Sequence, residues 1–134
     1  IVIGAFVSGM DAGKIYNSWP LMGNTYFPND NNIENLFKLS ALSDPSLVQF
    51  SHRNLAYGIG LFYVLIFFKV YKNKITKLYR SVNILGLFII LQIILGIFTI
   101  ILGAQIYIAA VHQVSSIFLV TSSIYFFFIN TKTN

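Results

Sequence analysis

Apolar residues fall along this chain in long unbroken stretches, not in the alternating or one-faced patterns of soluble strands and helices. One stretch occupies Ile1 to about Met10, a second about Ser46 to Phe68, a third Val82 to about Ala104 and a fourth about Ile106 to Ile129. The third and fourth contain no charged residue. A helix rises 1.5 Å per residue, so roughly 20 apolar residues cross a hydrocarbon layer of about 30 Å. In lipid a helix satisfies its own backbone donors and acceptors, which an open strand cannot do. The pattern therefore predicts an all-α, polytopic membrane protein: a four-helix transmembrane bundle whose first helix is partial. The expected organisation is a single membrane domain over residues 1–134. Its helices span about 1–10, 46–68, 82–104 and 106–129, with an outer loop at 11–45 and a cytoplasmic loop at 69–81.

Composition supports that class. Of the 134 residues 56% are hydrophobic and 10% charged, and mean hydropathy is +0.71. A soluble domain carries about 25% charged residues, and one this small could not hide so many apolar side chains. Disorder is excluded by the same numbers. The absence of cysteine excludes a disulfide, a zinc ribbon, an iron–sulfur cluster and a thiol nucleophile within the chain. The chain opens on Ile1, inside an apolar run with no basic leader before it, unlike a signal peptide. It reads as the C-terminal part of something longer.

Charge adds orientation. Lys69, Lys72, Lys74, Lys77 and Arg80 cluster between the second and third stretches, and the positive-inside rule puts that loop in the cytoplasm. The 4 acids, Asp11, Asp30, Glu34 and Asp44, all lie in the other long connection, which is then outside. The tight turn near Gly103–Gln105 is outside too, and the tail Asn130–Asn134 returns to the cytoplasm. The net charge of +5 is thus a topological signal. No basic binding face for nucleic acid is present, and the lipid bilayer is the expected surrounding. The outer loop holds Trp19, Pro20, Tyr26, Phe27 and Pro28. Its aromatics favour the membrane interface, so it is expected to lie across the outer surface as a cap. Ile3-Gly4-Ala5-Phe6-Val7 faintly echoes Leu95-Gly96-Ile97-Phe98-Thr99, as in bundles built from duplicated helical hairpins.

The chain has 2 histidines. His52 and His112 each fall about six residues into a helix that starts from the outside, roughly 9 Å down. Two imidazoles at one depth can face each other across a bundle core, where cofactor sites are built. Zinc or copper would want more protein ligands. Haem wants only one or two, because the porphyrin supplies the rest. The plain alternative is that each histidine hydrogen-bonds a neighbouring helix. His52, Ala56 and Gly60 share a face with room for a flat ring, and Ala109, Ser115 and Ser116 flank His112, although small residues also serve ordinary helix packing. Arg53 would pair with a haem propionate, or else reach lipid phosphate or an outer-loop acid. Gln49 and Gln113 are candidate donors behind the imidazoles. Gln92 is expected to hydrogen-bond another helix.

Several strings together resemble the haem A synthase family in its alphaproteobacterial and mitochondrial form. They are Gly4-Ala5-Phe6-Val7-Ser8-Gly9, the run Asp11-Ala12-Gly13-Lys14-Ile15-Tyr16-Asn17-Ser18-Trp19-Pro20-Leu21-Met22-Gly23, Val48-Gln49-Phe50-Ser51-His52-Arg53 with Ala56-Tyr57, Leu91-Gln92-Ile93-Ile94-Leu95-Gly96-Ile97-Phe98-Thr99, and Ala110-Val111-His112-Gln113. The resemblance implies eight helices in two similar halves. It also implies a membrane oxidoreductase that converts the C8 methyl of haem O to the formyl of haem A for cytochrome oxidase. This chain matches the C-terminal half, which holds haem b. His52 and His112 would be the axial ligands of its iron. No catalytic residue is expected here: the carboxylate that the family's other half carries before its histidine is replaced by Val48 and Gln49. The fragment alone is expected to be inactive. Haem O, haem O synthase and cytochrome oxidase assembly are the implied partners, with homo-oligomerisation open. The implied location is the cell inner membrane, or the mitochondrial inner membrane in a eukaryote. Two rivals stand beside this reading: a bis-histidine b-type haem electron carrier, and a cofactor-free structural or assembly subunit.

Overall fold

Local signals start and stop each helix. The computed structural model describes residues 1–132, so Thr133 and Asn134 of the predicted tail lie outside the described residues. Its helices are α1 (Val2–Gly9), α2 (Pro45–Lys72), α3 (Thr76–Ile101) and α4 (Ile106–Thr131). Asp44 caps α2, its carboxylate accepting the Leu47 N–H at 3.0 Å, and Pro45 follows at the first position. There the missing N–H of proline costs nothing.

Both tight turns end in the same motif. After α3, Ala104 N–H reaches Thr99 O at 2.7 Å and Gly103 N–H reaches Ile100 O at 3.0 Å, with Gly103 at φ 67°. After α2, Ile75 N–H reaches Val70 O at 3.0 Å and Lys74 N–H reaches Tyr71 O at 3.1 Å, with Lys74 at φ 52°. These paired bonds satisfy the last carbonyls of each helix and reverse the chain within a few residues.

The connection between α2 and α3 is accordingly much shorter than the loop 69–81 that hydropathy suggests. Lysine, arginine and tyrosine extend helices well enough, and long stems carry their polar ends to the interface. Hydropathy falls before the helix ends. In the other direction, α1 and α2 are joined by a long segment holding three short 3-10 turns, Ala12–Lys14, Ile33–Phe37 and Leu39–Ser43. The described residues form no β-strand, only a single bridge between Met22 and Thr25.

Helices α2, α3 and α4 are each long and apolar enough to cross a membrane. Their outward faces carry large apolar side chains: Phe62 is 65% exposed, Leu87 63% and Ile117 61%. The surface totals 8755 Å², where a soluble protein of this mass would show about 7,100 Å². Such faces need lipid or another apolar partner. Consecutive helices pack on one another, α3 on α4 most extensively. At the basic end Val70, Leu78 and Val82 form the buried core. At the opposite end the core is Met22, Leu47 and Val48, where the α1–α2 connection folds back on α2.

Candidate haem site

His52 and His112 come together. The rings lie 6.5 Å apart between centres, with planes at 86°. His52 sits seven positions after the first residue of α2 and His112 six after that of α4, so both lie about 10 Å along their helices. Neither imidazole donates or accepts a hydrogen bond to a described residue, and the Nδ1 of His112 is buried without a partner. The expectation that each histidine merely bonds a neighbouring helix therefore finds no partner for it. Each ring instead faces a helix at a glycine, His52 at Gly4 of α1 and His112 at Gly96 of α3.

The polar residues around the pair have separate work. Gln92, on α3, donates to Ser115 Oγ at 2.7 Å and to His112 O at 3.2 Å, so it ties α3 to α4 beside His112. Ser115 in turn donates to His112 O at 2.9 Å. Gly60 lies against Ile93 of α3. Gln49 does not reach the imidazoles: its amide donates to Tyr16 O at 3.0 Å. The Gln113 side chain makes no hydrogen bond to a described residue.

Arg53 is buried, and it turns toward the α1–α2 connection. Nη1 donates to Ser18 O at 2.8 Å and Leu21 O at 3.3 Å, and Nη2 to Tyr16 O at 2.9 Å. No carboxylate accepts from it, and its Nε is buried and unbonded. The connection can meet the guanidinium because Ser18 Oγ donates to Leu21 O and accepts from Gly23 N–H, which folds residues 18–23 tightly. Trp19 Nε1 donates to Tyr57 Oη at 2.9 Å, and the Tyr26 hydroxyl bonds Asn54. The segment is thus pinned along α2 as a cap over the histidine end. Lower on the cap, Asp30 accepts from Tyr16 Oη at 3.0 Å and from Ser46 Oγ at 2.6 Å. Burial alone would raise the Asp30 pKa, but the bonds from Ser46 and Tyr16 outweigh it and hold the carboxyl below its ordinary value. The Tyr16 phenol is raised, by burial first and then by Asp30.

The donor set suits a haem better than a bare ion. Among the described residues no group of three or more histidine, cysteine or acidic side chains could hold a metal. A metal bound to two imidazoles at about 2 Å each, with about 1 Å more from nitrogen to ring centre, separates the ring centres by about 6 Å. The observed separation of the centres, 6.5 Å, is close to that distance. Gly4 and Tyr57 stand in the strings that carry the family resemblance, but their contacts, Gly4 with His52 and Tyr57 with Trp19, escape a reading of the sequence.

The model of the cytochrome oxidase assembly protein family, COX15-CtaA, matches residues 1–124. Among curated relatives, a haem A synthase of Pelagibacter ubique is 39% identical over the whole chain, which covers 39% of that protein. A haem A synthase of Rickettsia felis is 38% identical over 96% of the chain, covering 38% of the relative. That of Rickettsia prowazekii is 35% identical with the same coverage. The chain therefore spans about two-fifths of the length of the curated relatives it matches. No solved structure matches it.

Proposed function

The chain belongs to the COX15-CtaA family of cytochrome oxidase assembly proteins, and from that premise we propose that it is the cofactor-holding, C-terminal half of a haem A synthase. The whole protein would be a membrane oxidoreductase of the inner membrane that takes haem O to haem A for cytochrome oxidase. In this segment His52 and His112 hold a haem b. The observation that carries the reading is the pair of unbonded imidazoles with centres 6.5 Å apart, in a chain whose relatives are named for haem A synthesis.

Bound there, the haem would supply one-electron transfer between the partner half and an external acceptor. The chain's own residues bind and enclose it. Gln92 and Ser115 fix the backbone that carries His112. The cap, clamped by Arg53, separates the histidine end from water. The free Nε of Arg53 is a donor left for a propionate, which would also supply the buried cation with a counter-charge. The acids near this end are engaged elsewhere, Asp30 with Tyr16 and Ser46 and Asp44 with the start of α2, and in this reading the methyl oxidation belongs to the other half.

The test is a reduced-minus-oxidised visible spectrum of the detergent-purified chain beside His52→Ala and His112→Ala. The expected result is a low-spin b-type spectrum that both substitutions abolish or convert to high spin. A folded wild type that takes up no haem, or variants with an unchanged spectrum, overturns the reading. Conversion of haem O to haem A by the full-length protein separates a synthase from a plain electron carrier.

A further inference from the structure

We propose that Gly4 and Gly96 are positioning residues that set where the imidazoles of His52 and His112 stand, a proposal that rests on the haem reading above. A Cβ built on Gly96 would lie 3.3 Å from His112 Cε1 and 3.7 Å from its Nε2; one on Gly4 would lie 3.5 Å from His52 Cε1. Among the helical glycines, Gly9 and Gly58 have nothing within 4 Å, Gly60 meets Ile93 and Gly86 meets Tyr63; only Gly4 and Gly96, among the described residues, meet a histidine. The two contacts are built alike. In each, a glycine on one helix receives the histidine of the next helix in the chain, α1 to α2 and α3 to α4. The string Gly-x-Phe that both share also occurs at Gly60 and Gly86, so the histidine contact, and not the string, sets Gly4 and Gly96 apart.

No hydrogen bond from a described residue orients either imidazole, whereas a metal-binding histidine ordinarily has one. The helix face at each glycine then limits how far its ring can retreat from the other. At Gly96 an added methyl would crowd His112, so that ring or helix α3 must give by a few tenths of an ångström; at Gly4 a methyl meets His52 in ordinary contact and a larger side chain is needed to move it.

The distances predict unequal sensitivity. A contact of 3.3 Å is tighter than a methyl usually makes, so Gly96→Ala is expected to shift His112 by a few tenths of an ångström, whereas 3.5 Å is ordinary contact and Gly4→Ala should fit. Gly4→Val adds two methyl groups beyond a Cβ already in contact with the ring. Alanine is the better helix former at each site, so helix propensity does not oppose the changes.

The experiment loads the purified full chain with haem and records the low-temperature electron paramagnetic resonance of its oxidised form. Wild type, Gly96→Ala, Gly4→Ala and Gly4→Val are compared with Gly58→Ala as control, and circular dichroism tracks helix content. The expected result is a shift or loss of the low-spin signal in Gly96→Ala and Gly4→Val, with Gly4→Ala and Gly58→Ala like wild type. Should Gly96→Ala fail to fold, Gly4→Val carries the test, because α1 lies outside the extensive α3–α4 contact. Unchanged signals in folded Gly96→Ala and Gly4→Val overturn the positioning role while leaving the haem reading intact, as does an equal change in Gly58→Ala. A wild type that binds no haem overturns both.

Discussion

The imidazoles of His52 and His112 cross at 86° with their centres 6.5 Å apart, although they are carried by two helices that are not consecutive in the chain. No hydrogen bond joins either imidazole to a described residue. Gly4 and Gly96 face the rings from α1 and α3, and the Gln92 bridge ties α3 to α4 beside His112.

Exchange of one imidazole for a thioether should preserve the site and change its potential. Methionine–histidine ligation raises the reduction potential of a haem above that of two histidines. His112→Met is expected to keep bound haem and to move its midpoint upward, by a fraction of the roughly 0.8 V span that axial ligands control. Spectroelectrochemical titration checks this; an unmoved midpoint would mean that His112 is not a ligand.

Arg53 clamps the cap through three carbonyl oxygens. Arg53→Ala strands those carbonyls and is expected to cost about 3 kcal/mol or more. Arg53→Lys should recover less than half, since a single ammonium cannot span residues 16, 18 and 21 as the planar fork does. Thermal unfolding in detergent measures the loss. Protease cleavage within 11–44 should accelerate in parallel, and resistance equal to wild type would count against the clamp.

At the basic end Tyr63 lies across Gly86. A Cβ on Gly86 would collide with the Tyr63 hydroxyl and lie 2.5 Å from its Cζ, and the hydroxyl donates to Val82 O at 3.3 Å. Helix propensity alone would make Gly86→Ala stabilising by about 1 kcal/mol. Overpacking of about 1–3 kcal/mol should win and give a net loss. Tyr63→Phe should not rescue it, because the ring carbon still collides, whereas Tyr63→Ala should. A double-mutant cycle that shows no coupling would refute the contact.

The Tyr16–Asp30–Ser46 group gives the cap a pH dependence of known sign. The folded pKa of Asp30 lies below its ordinary value. Its contribution is therefore complete above the unfolded pKa of about 3.9 and fades as pH falls through the lower folded value. The folded pKa of Tyr16 is raised above 10.0, so its contribution is complete below about 10 and fades as pH rises through the folded value. Asp30→Asn should weaken the acid dependence and Tyr16→Phe the alkaline one. Unfolding midpoints recorded across pH would show it, and an acid limb as large in Asp30→Asn as in the wild type would contradict the assignment.

How much of this was legible depends on whether a feature is local. The apolar runs give the helices, and the matched positions of His52 and His112 along theirs suggest a shared ligand. The Gln92 link to another helix is also foreseeable, because a mid-span amide must find a partner. The helix ends around residues 69–81 are misjudged, since hydropathy registers where lipid stops and not where backbone bonding stops. Arg53 is a sharper case. Its charge and depth call for an acid, a phosphate or a propionate, but the structure supplies carbonyl oxygens of residues 16, 18 and 21. Those acceptors are free only because the connection folds into a turn there.

By itself the sequence determined the class of solvent and the number of long helices. Each follows from side-chain chemistry summed over neighbouring positions. The tertiary structure alone decided that His52 meets Gly4, that His112 meets Gly96, that Tyr63 lies on Gly86 and that Arg53 faces the cap. Those contacts depend on how far each helix is rotated and how closely it packs. Rotation and spacing arise from many small contacts between residues remote in the chain, which no local pattern records.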